Sequence, residues 1–221
     1  GRWPNNGMIK THKVINAGNI KSKGIKGQGD PVIEYVENEP STWEDSKGGW
    51  ICGYFGEGWA DDMLPIKSID KKKKRIIIGS GSLYGFKADG MYRRWFIRNI
   101  PEVIDVPGEY VNDATANEIH FLPPKGNINK IQLSVLKDPI LQIKSCKNVT
   151  IKNVTVECSR GIGVLIESSN QILIDSCIIR NVGNMGIKIG GNTYNNGIKN
   201  SYVYNTGAGG IELNGGNRKK L

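Results

Sequence analysis

The side chains of this sequence that could work as general acids or bases are carboxylates in its last third. They lie in stretches of alternating apolar residues, and they are Glu157, Glu167, Asp175 and Glu212. Two carboxyl groups about 5–10 Å apart can protonate a leaving group and activate a nucleophile, which is the chemistry that cleaves glycosidic bonds. Whether any of the four can form such a pair depends on the repeat that carries them.

The last third is a repeat with a period of 23 or 24 residues. Its rows are 141–163, 164–186 and 187–210, and a fourth row begins at 211. Apolar residues recur at three positions of these rows: Ile143, Ile166, Ile189 and Leu213; Ile151, Ile174 and Ile198; Val156, Ile179 and Val203. A period of this length, with several short strands in each row, indicates a solenoid.

We interpret the solenoid as a parallel β-helix with one coil in each row, because the leucine-rich frame and a helical half are both absent from the rows. Equivalent strands then stack about 4.8 Å apart. Polar residues recur at two corners of the coils, where we expect side-chain hydrogen bonds from coil to coil. The residues are Asn153, Ser176 and Asn200 at one corner, and Asn181 and Asn205 at the other.

In this register every one of the four carboxylates faces a cation on a neighbouring row. The pairs are Glu157 with Arg180, Glu167 with Lys144, Glu212 with Lys188, and Asp175 with both Lys152 and Lys199. Opposite charges on adjacent strands stabilise a sheet, and they lower a carboxyl pKa, whereas a general acid needs a raised one. We therefore expect no complete catalytic pair on these coils.

Two of the carboxylates remain candidate catalytic residues, Glu212 and Asp175. Glu212 lies beside a Gly-rich edge where side chains are small and a sugar could approach. Polar residues that could hold sugar hydroxyls follow it, and we take Asn214, Asn217 and Arg218 as candidate substrate-binding residues.

The first 137 residues follow a different pattern. Strand-like runs separated by turn residues at short, even intervals predict a β-sandwich or jelly roll over residues 31–137. Residues 1–30 are expected to supply early β-helix strands, and residues 138–221 the coils. Four aromatic residues alternate with glycines: Trp43, Trp50, Tyr54 and Trp59. A sandwich core explains them, and stacking on sugar rings is the alternative.

Composition excludes several classes of function. The net charge is +9, but much of the excess lies in the run 70–75, where a solvated hairpin loop is expected. Basic residues are not interleaved with aromatic ones, which argues against a nucleic-acid partner. No apolar run is long enough to span a membrane. The cysteines and histidines lack metal-site spacing, so we expect no cofactor and expect the four cysteines to be small buried hydrophobes.

Five segments, in this order, resemble those of secreted bacterial proteins with a right-handed parallel β-helix. They are residues 2–7 (RWPNNG), 48–62, 100–113, 118–124 and 205–221. The proteins are glycoside hydrolases of the α-L-fucosidase and apiosidase type, which act on plant cell-wall glycans. The resemblance implies a pectin lyase-like β-helix with a β-sandwich inserted between early and later coils, a polysaccharide or oligosaccharide substrate, and a secreted or periplasmic location.

The sequence leaves three functions open. For each of them we expect a monomer. The first is a glycoside hydrolase whose catalytic pair lies downstream of Leu221, since the uncapped last row indicates a fragment of a longer solenoid. The second is a polysaccharide lyase with a Lys or Arg base, for which Lys152 and Lys199 are the relevant positions. The third is a glycan-binding β-helix without catalytic activity.

Overall fold

The chain folds almost entirely into β-strands. The computed structural model describes residues 1–24, 27, 29–44, 46–87 and 93–215. It consists of two compact units, Gly1–Ile128 and Asn129–Leu221, each with its own apolar core. Helical structure in the described residues is limited to three 3₁₀ turns, at Lys21–Lys23, Glu39–Ser41 and Pro101–Val103. The predicted all-β fold class is confirmed.

An eight-stranded antiparallel sheet forms most of the first unit. Its strands are β1 (Arg2–Trp3), β2 (Ile9–Lys10), β3 (Lys13–Asn16), β4 (Val32–Glu34), β5 (Trp50–Tyr54), β6 (Asp61–Asp70), β7 (Arg75–Ile78) and β8 (Arg94–Arg98). Their order is β1-β8-β5-β6-β7-β4-β3, with β2 also on β8. A separate hairpin follows, formed by β9 (Tyr110–Asp113) and β10 (Glu118–Phe121).

The long strand β6 joins the two halves of this sheet. Its first part pairs with β5 and its second part with β7, and the register shifts between Ile66 and Ser68. Such a bulge bends a strand and increases its twist. Apolar residues from both halves belong to one core, among them Ile51 and Trp95 from one half and Ile33 and Ile76 from the other. The sandwich-like N-terminal region is therefore a single bent sheet that encloses a shared core.

The expectation that residues 1–30 begin the β-helix is wrong. Strands β1 and β2 pair antiparallel with β8, and β3 pairs antiparallel with β4. The physical reason is apolar packing, because Trp3, Ile9 and Val14 lie against the core of the first unit. The two units divide after residue 128, whereas the sequence analysis placed the last boundary after residue 137.

The second unit is a parallel β-helix. Its strands are β11 (Leu141–Lys144), β12 (Lys147–Lys152), β13 (Thr155–Ser159), β14 (Val164–Glu167), β15 (Asn170–Asp175), β16 (Ile178–Val182), β17 (Met185–Gly191), β18 (Gly197–Lys199), β19 (Tyr202–Thr206) and β20 (Gly209–Gly215). They form three parallel sheets, ordered β11-β14-β17-β20, β12-β15-β18 and β13-β16-β19. The pairing places the recurring apolar residues on neighbouring strands as predicted, for example Ile143 beside Ile166 and Ile166 beside Ile189.

Each complete coil turns through four residues with positive φ, at equivalent positions. The sets are Ser145, Ser168 and Gly191; Asn148, Gln171 and Asn195; Asn153, Ser176 and Asn200; and Cys158, Asn181 and Asn205. Asn is common here because its short polar side chain tolerates the left-handed region better than most residues do. The repeated Asn and Ser of the sequence are therefore explained first by backbone conformation.

The predicted hydrogen bonds between corners hold at one of the two corners. Asn205 Nδ2 donates to Asn181 Oδ1 at 3.4 Å. At the other corner the prediction is wrong, because Asn200 Nδ2 donates to Asp175 Oδ1 at 3.3 Å and Ser176 Oγ donates to the same oxygen at 3.0 Å. A carboxylate attracts these donors more strongly than a neutral side chain does.

Candidate functional site

Three of the four carboxylates of the coils are ion-paired with the cations that the repeat register assigned to them. Lys152 Nζ and Lys199 Nζ lie 3.7 and 3.6 Å from Asp175 Oδ2. Two further pairs are Arg180 Nε with Glu157 Oε2 at 2.6 Å, and Lys188 Nζ with Glu212 Oε1 at 3.0 Å. Lys144 and Glu167 are partners in the strand register. No two of these carboxylates are register partners, so the described part of the coils holds no glycosidase-type pair at adjacent-strand spacing.

Asp175 is the most enclosed of these carboxylates, with 8% of its side chain exposed. Desolvation works to raise its pKa. The hydrogen bonds from Ser176 and Asn200 and the charges of Lys199 and Lys152 together outweigh desolvation, so the pKa of Asp175 lies below its usual value. The carboxyl group is thus ionised at neutral pH and cannot serve there as a proton donor.

Glu212 and its neighbours form an open edge. Glu212 is half-buried and paired with Lys188, while Asn214 is exposed on the same strand. Asn217 and Arg218 lie outside the described residues. On the adjacent sheet, Arg180 donates hydrogen bonds to the Tyr204 hydroxyl and to Glu157. The bond to Tyr204 is the largest cause of the raised pKa of Arg180, and the bond to Glu157 is the second. That guanidinium is therefore a fixed cation, because it cannot act as a base.

The four candidate aromatic residues of the first unit separate into two groups. Trp43 is 4% exposed and belongs to the core, as the sandwich-core interpretation predicts. Trp59 is 71% exposed and its ring lies 5.0 Å from that of Tyr84, so the core interpretation is wrong for Trp59. Trp50 is also exposed, at 36%, and Tyr54 is half-buried.

The remaining reactive side chains include the four cysteines. All four cysteines are free; Cys52 and Cys177 are buried and the other two half-buried. Burial raises the pKa of Cys52 to about 11, so this thiol is inert at neutral pH. Within the described ranges no group of three His, Cys, Asp or Glu residues could hold a metal ion. No helix there is long and apolar enough to cross a membrane.

A shallow groove of about 490 Å³ crosses three coils of the β-helix where β12, β15 and β18 begin. We name it the amide groove, because its lining includes Asn148, Thr150, Gln171, Leu173, Asn195 and Asn196. No charged residue lines it. Asn148, Gln171 and Asn195 are equivalent residues of successive coils, so the groove presents one amide per coil at a spacing of about 4.8 Å.

These amides differ in how far the fold uses them. Asn196 accepts the backbone N–H of Ile172 at 2.9 Å and donates to the carbonyl oxygen of Ser169 at 3.0 Å. The side chains of Asn148, Gln171 and Asn195 make no hydrogen bond within the described part of the chain, and all three are exposed. The amide groove therefore offers a row of uncommitted donors and acceptors above the half-buried Leu173.

The amide groove was not predicted from the sequence. Asn148 and Asn195 are of a type that is common in turns, but Gln171 conceals the repeat between them because Gln is not a typical corner residue. Aligning the rows by polar residues in general, in addition to Asn and Ser, would have revealed the set.

Comparison with known proteins supports the architecture. Residues 139–221 match the family model described as "Right handed beta helix region". A solved structure titled "Glycoside hydrolase" is similar over 88% of this chain and 45% of its own length, with a TM-score of 0.56 and 12% sequence identity. The tailspike protein gp49 from Pseudomonas phage LKA1 is matched over 94% of this chain and 38% of its own, with a TM-score of 0.26 and 12% identity.

The chain spans less than half the length of either structure. No curated protein matches its sequence. At 12% identity the similarity to the first structure concerns the fold alone. In this chain the fold is a right-handed β-helix that follows a sheet-rich N-terminal unit in the sequence.

Proposed function

We propose that this protein is a carbohydrate-active β-helix protein, part of a glycoside hydrolase of complex polysaccharides, and that its amide groove binds the glycan. The amide groove is the observation that carries the proposal. A fold shared with a glycoside hydrolase raises the expectation, but β-helices serve several functions and only a site can argue for one.

The chemistry of the amide groove suits a neutral polysaccharide. Sugar hydroxyls donate and accept hydrogen bonds, and each carboxamide can do both. Asn148, Gln171 and Asn195 are uncommitted and repeat at the coil spacing, so a polymer lying across the coils meets an equivalent amide at each step. The apolar surface of Leu173 lies between them, where the C–H faces of a sugar ring can pack.

Catalysis by Asp175 or Glu212 is not part of the proposal. The two lysines and two hydrogen bonds around Asp175 hold its carboxyl group ionised, and Glu212 is paired with Lys188. The same contacts weigh against the lyase alternative, because Lys152 and Lys199, its candidate bases, are both engaged by Asp175. The hydrolytic carboxylates of the whole protein are therefore proposed to be other residues, and the role of this unit is to hold substrate.

A binding experiment tests the role of the amide groove. We would measure retardation of the protein in affinity gels that contain neutral or uronate-rich plant polysaccharides. The test protein is a triple glycine variant that combines Asn148→Gly, Gln171→Gly and Asn195→Gly, because glycine keeps the positive φ of these corners while it removes the amide. Asn153→Gly is the matched control, since Asn153 is also an exposed residue with positive φ but does not line the groove.

We expect a neutral polysaccharide to retard the wild type and the control equally, and the triple glycine variant at least about tenfold less, a loss of about 1.4 kcal/mol. Equal retardation of all three proteins would refute the assignment of the groove. Retardation by uronate-rich polymers alone would refute the preference for neutral glycans.

Activity is measured separately, on this chain and on any longer form that contains it. Release of reducing sugar identifies a hydrolase, and an unsaturated product that absorbs ultraviolet light identifies a lyase. We expect reducing sugar, and we expect Asp175→Asn and Glu212→Gln to leave the turnover of any active form unchanged once folding is verified. Loss of turnover in either folded variant would contradict our interpretation of the ion pairs.

A further inference from the structure

The first unit contains a cleft that is separate from the amide groove. Its volume is about 410 Å³, and its walls include the rings of Trp3 and Trp43 and the side chains of Glu39, Thr42, Glu102 and Asp105. We name it the indole cleft. We propose that the indole cleft is a second binding site, which takes a cationic saccharide, meaning a sugar that carries a free amino group.

The two indole rings supply the apolar part of this site. Their centroids lie 5.3 Å apart at an angle of 82°, and Trp3 is the half-buried member of the pair, whereas Trp43 is 4% exposed. A cation above an indole face is attracted to the negative π-surface, and the C–H face of a sugar packs on the same surface.

The indole N–H groups are free to donate. Trp43 is 4% exposed, and no hydrogen bond within the described residues engages its N–H or that of Trp3. A buried tryptophan usually finds an acceptor for this proton. The fully buried polar atoms without a partner in the described residues do not include the Trp43 N–H, so this group is open to solvent, and a hydroxyl oxygen of a bound sugar can take the place of water as its acceptor.

Three carboxylates supply the charge. Within the described residues each accepts a hydrogen bond at one oxygen only: Glu39 Oε2 accepts the N–H of Asn38 at 3.1 Å, Glu102 Oε1 that of Glu44 at 2.6 Å, and Asp105 Oδ1 the side-chain amide of Asn5 at 2.9 Å. Among the residues that the structure describes, none of the three forms a salt bridge. Such a cluster of unpaired negative charge contrasts with the net charge of +9 of the chain.

The neighbouring cations are engaged elsewhere. The guanidinium of Arg2 donates to the carbonyl oxygens of Pro4 and Gly7 and lies over the ring of Phe96, 4.2 Å from its centre. The ammonium group of Gly1 donates to the carbonyl oxygen of Tyr110. The charge of that ammonium group also acts on Asp105, but among the described residues neither cation forms a salt bridge with a carboxylate of the cleft.

Together these groups favour an amino sugar over other saccharides. Its hydroxyl oxygens can accept from the indole N–H groups and its ring can pack on an indole, while its ammonium group meets the carboxylates. A neutral sugar lacks the last interaction, and a uronate would be repelled. The inference concerns the first unit only and stands whether or not the amide groove binds glycan.

The test compares two oligosaccharides that differ in charge. We would titrate the ¹⁵N-labelled protein with a fully deacetylated glucosamine tetramer and with its N-acetylated counterpart, and follow the five tryptophan indole signals by NMR. The test variant is Glu102→Gln/Asp105→Asn, which keeps the oxygen acceptors of both exposed side chains. The control is Glu37→Gln/Glu118→Gln, which removes the same charge from carboxylates outside the cleft.

We expect the deacetylated tetramer to shift the indole signals of Trp3 and Trp43 and to bind about tenfold more tightly than the acetylated one, the ratio that 1.4 kcal/mol of charge attraction produces. The test variant should lose this preference and the control should retain it, with added salt weakening the preference in both wild type and control. Equal binding of the two tetramers, or signals that move only for the other tryptophans, would overturn the proposal. Loss of the preference in the control as well would overturn it too, since the attraction would then belong to the whole surface.

Discussion

A stack of glycines at one corner of the β-helix permits a sharp test of coil packing. Gly163, Gly186 and Gly210 follow one another on successive coils, directly before the residues that β14, β17 and β20 place in register. A Cβ atom added to Gly186 would lie 2.4 Å from Val203 Cγ1 and 2.7 Å from the carbonyl oxygen of Gly210. A Cβ atom added to Gly210 would find its nearest neighbour, the same Val203 methyl group, at 3.9 Å.

The two substitutions should therefore have opposite effects. Carbon atoms pack best at about 3.5–4.0 Å, so Gly186→Ala forces an overlap of more than 1 Å inside the coil, and overpacking of this kind costs about 1–3 kcal/mol. Gly210→Ala makes an ordinary contact without positive φ, so it should be neutral or add about 0.4–1 kcal/mol by restricting the unfolded chain. The two variants then differ by about 1–4 kcal/mol, which for a chain of this size is roughly 2–16 °C in Tm, at about 2–4 °C per kcal/mol.

The assay is urea unfolding followed by two probes. All five tryptophans, Trp3 to Trp95, belong to the first unit, so tryptophan fluorescence reports that unit alone, whereas far-UV circular dichroism reports both units. We expect Gly186→Ala to shift the circular-dichroism transition to lower urea and to leave the fluorescence transition in place. If Gly186→Ala and Gly210→Ala unfold at the same urea concentration, the steric argument fails, because the 1.5 Å difference between their nearest contacts would have no energetic effect.

Three further predictions follow from the same structure. Asp175→Asn should destabilise the protein at pH 7, because Lys152 and Lys199 lose their shared partner. The folded pKa of Asp175 lies below the unfolded value, so its stabilising contribution is present above about pH 4 and is lost as pH falls through the folded pKa. The urea midpoints of variant and wild type should therefore converge at low pH. Ile174→Ala should cost about 2–5 kcal/mol in urea unfolding, since this residue is 1% exposed, and Leu173→Ala, at a half-buried site, should cost less. Cys52 should resist alkylation by iodoacetamide in the native protein at pH 8 and react after denaturation, as measured by mass spectrometry, because burial raises its pKa to about 11.

The β-helix could be predicted in detail because its strands repeat. Once the rows were aligned, side-chain partners followed from one translation, and the ion pairs of Asp175 and Glu212 were predictable by counting residues. The repeat could not predict where a side chain would turn at a corner. Asn200 was expected to reach Ser176, but it donates to Asp175 because a charged acceptor was within reach.

The first unit offered no comparable guide. Its opening strands contain only two to four residues, and β1 and β2 pair with β8, about 90 residues later in the chain. Strands this short carry little periodic signal, so their partner is chosen by the apolar contacts of Trp3 and Ile9 with the core. The sequence supported the strand class of this region and gave no means of deciding between an early coil and an antiparallel sheet.

The two proposed sites illustrate why binding residues were harder to predict than the fold. At a corner with positive φ the fold requires a backbone conformation, so the side chain makes no structural hydrogen bond unless a partner lies within reach. At the corner of Asn200 the partner is Asp175, and the amide is consumed by the fold. At the corner of Asn148, Gln171 and Asn195 no charged side chain lines the wall, and the three amides stay exposed and uncommitted. The charge of the neighbouring side chains thus separates these two corners, and it is a property of the packed coils that one row of sequence does not contain.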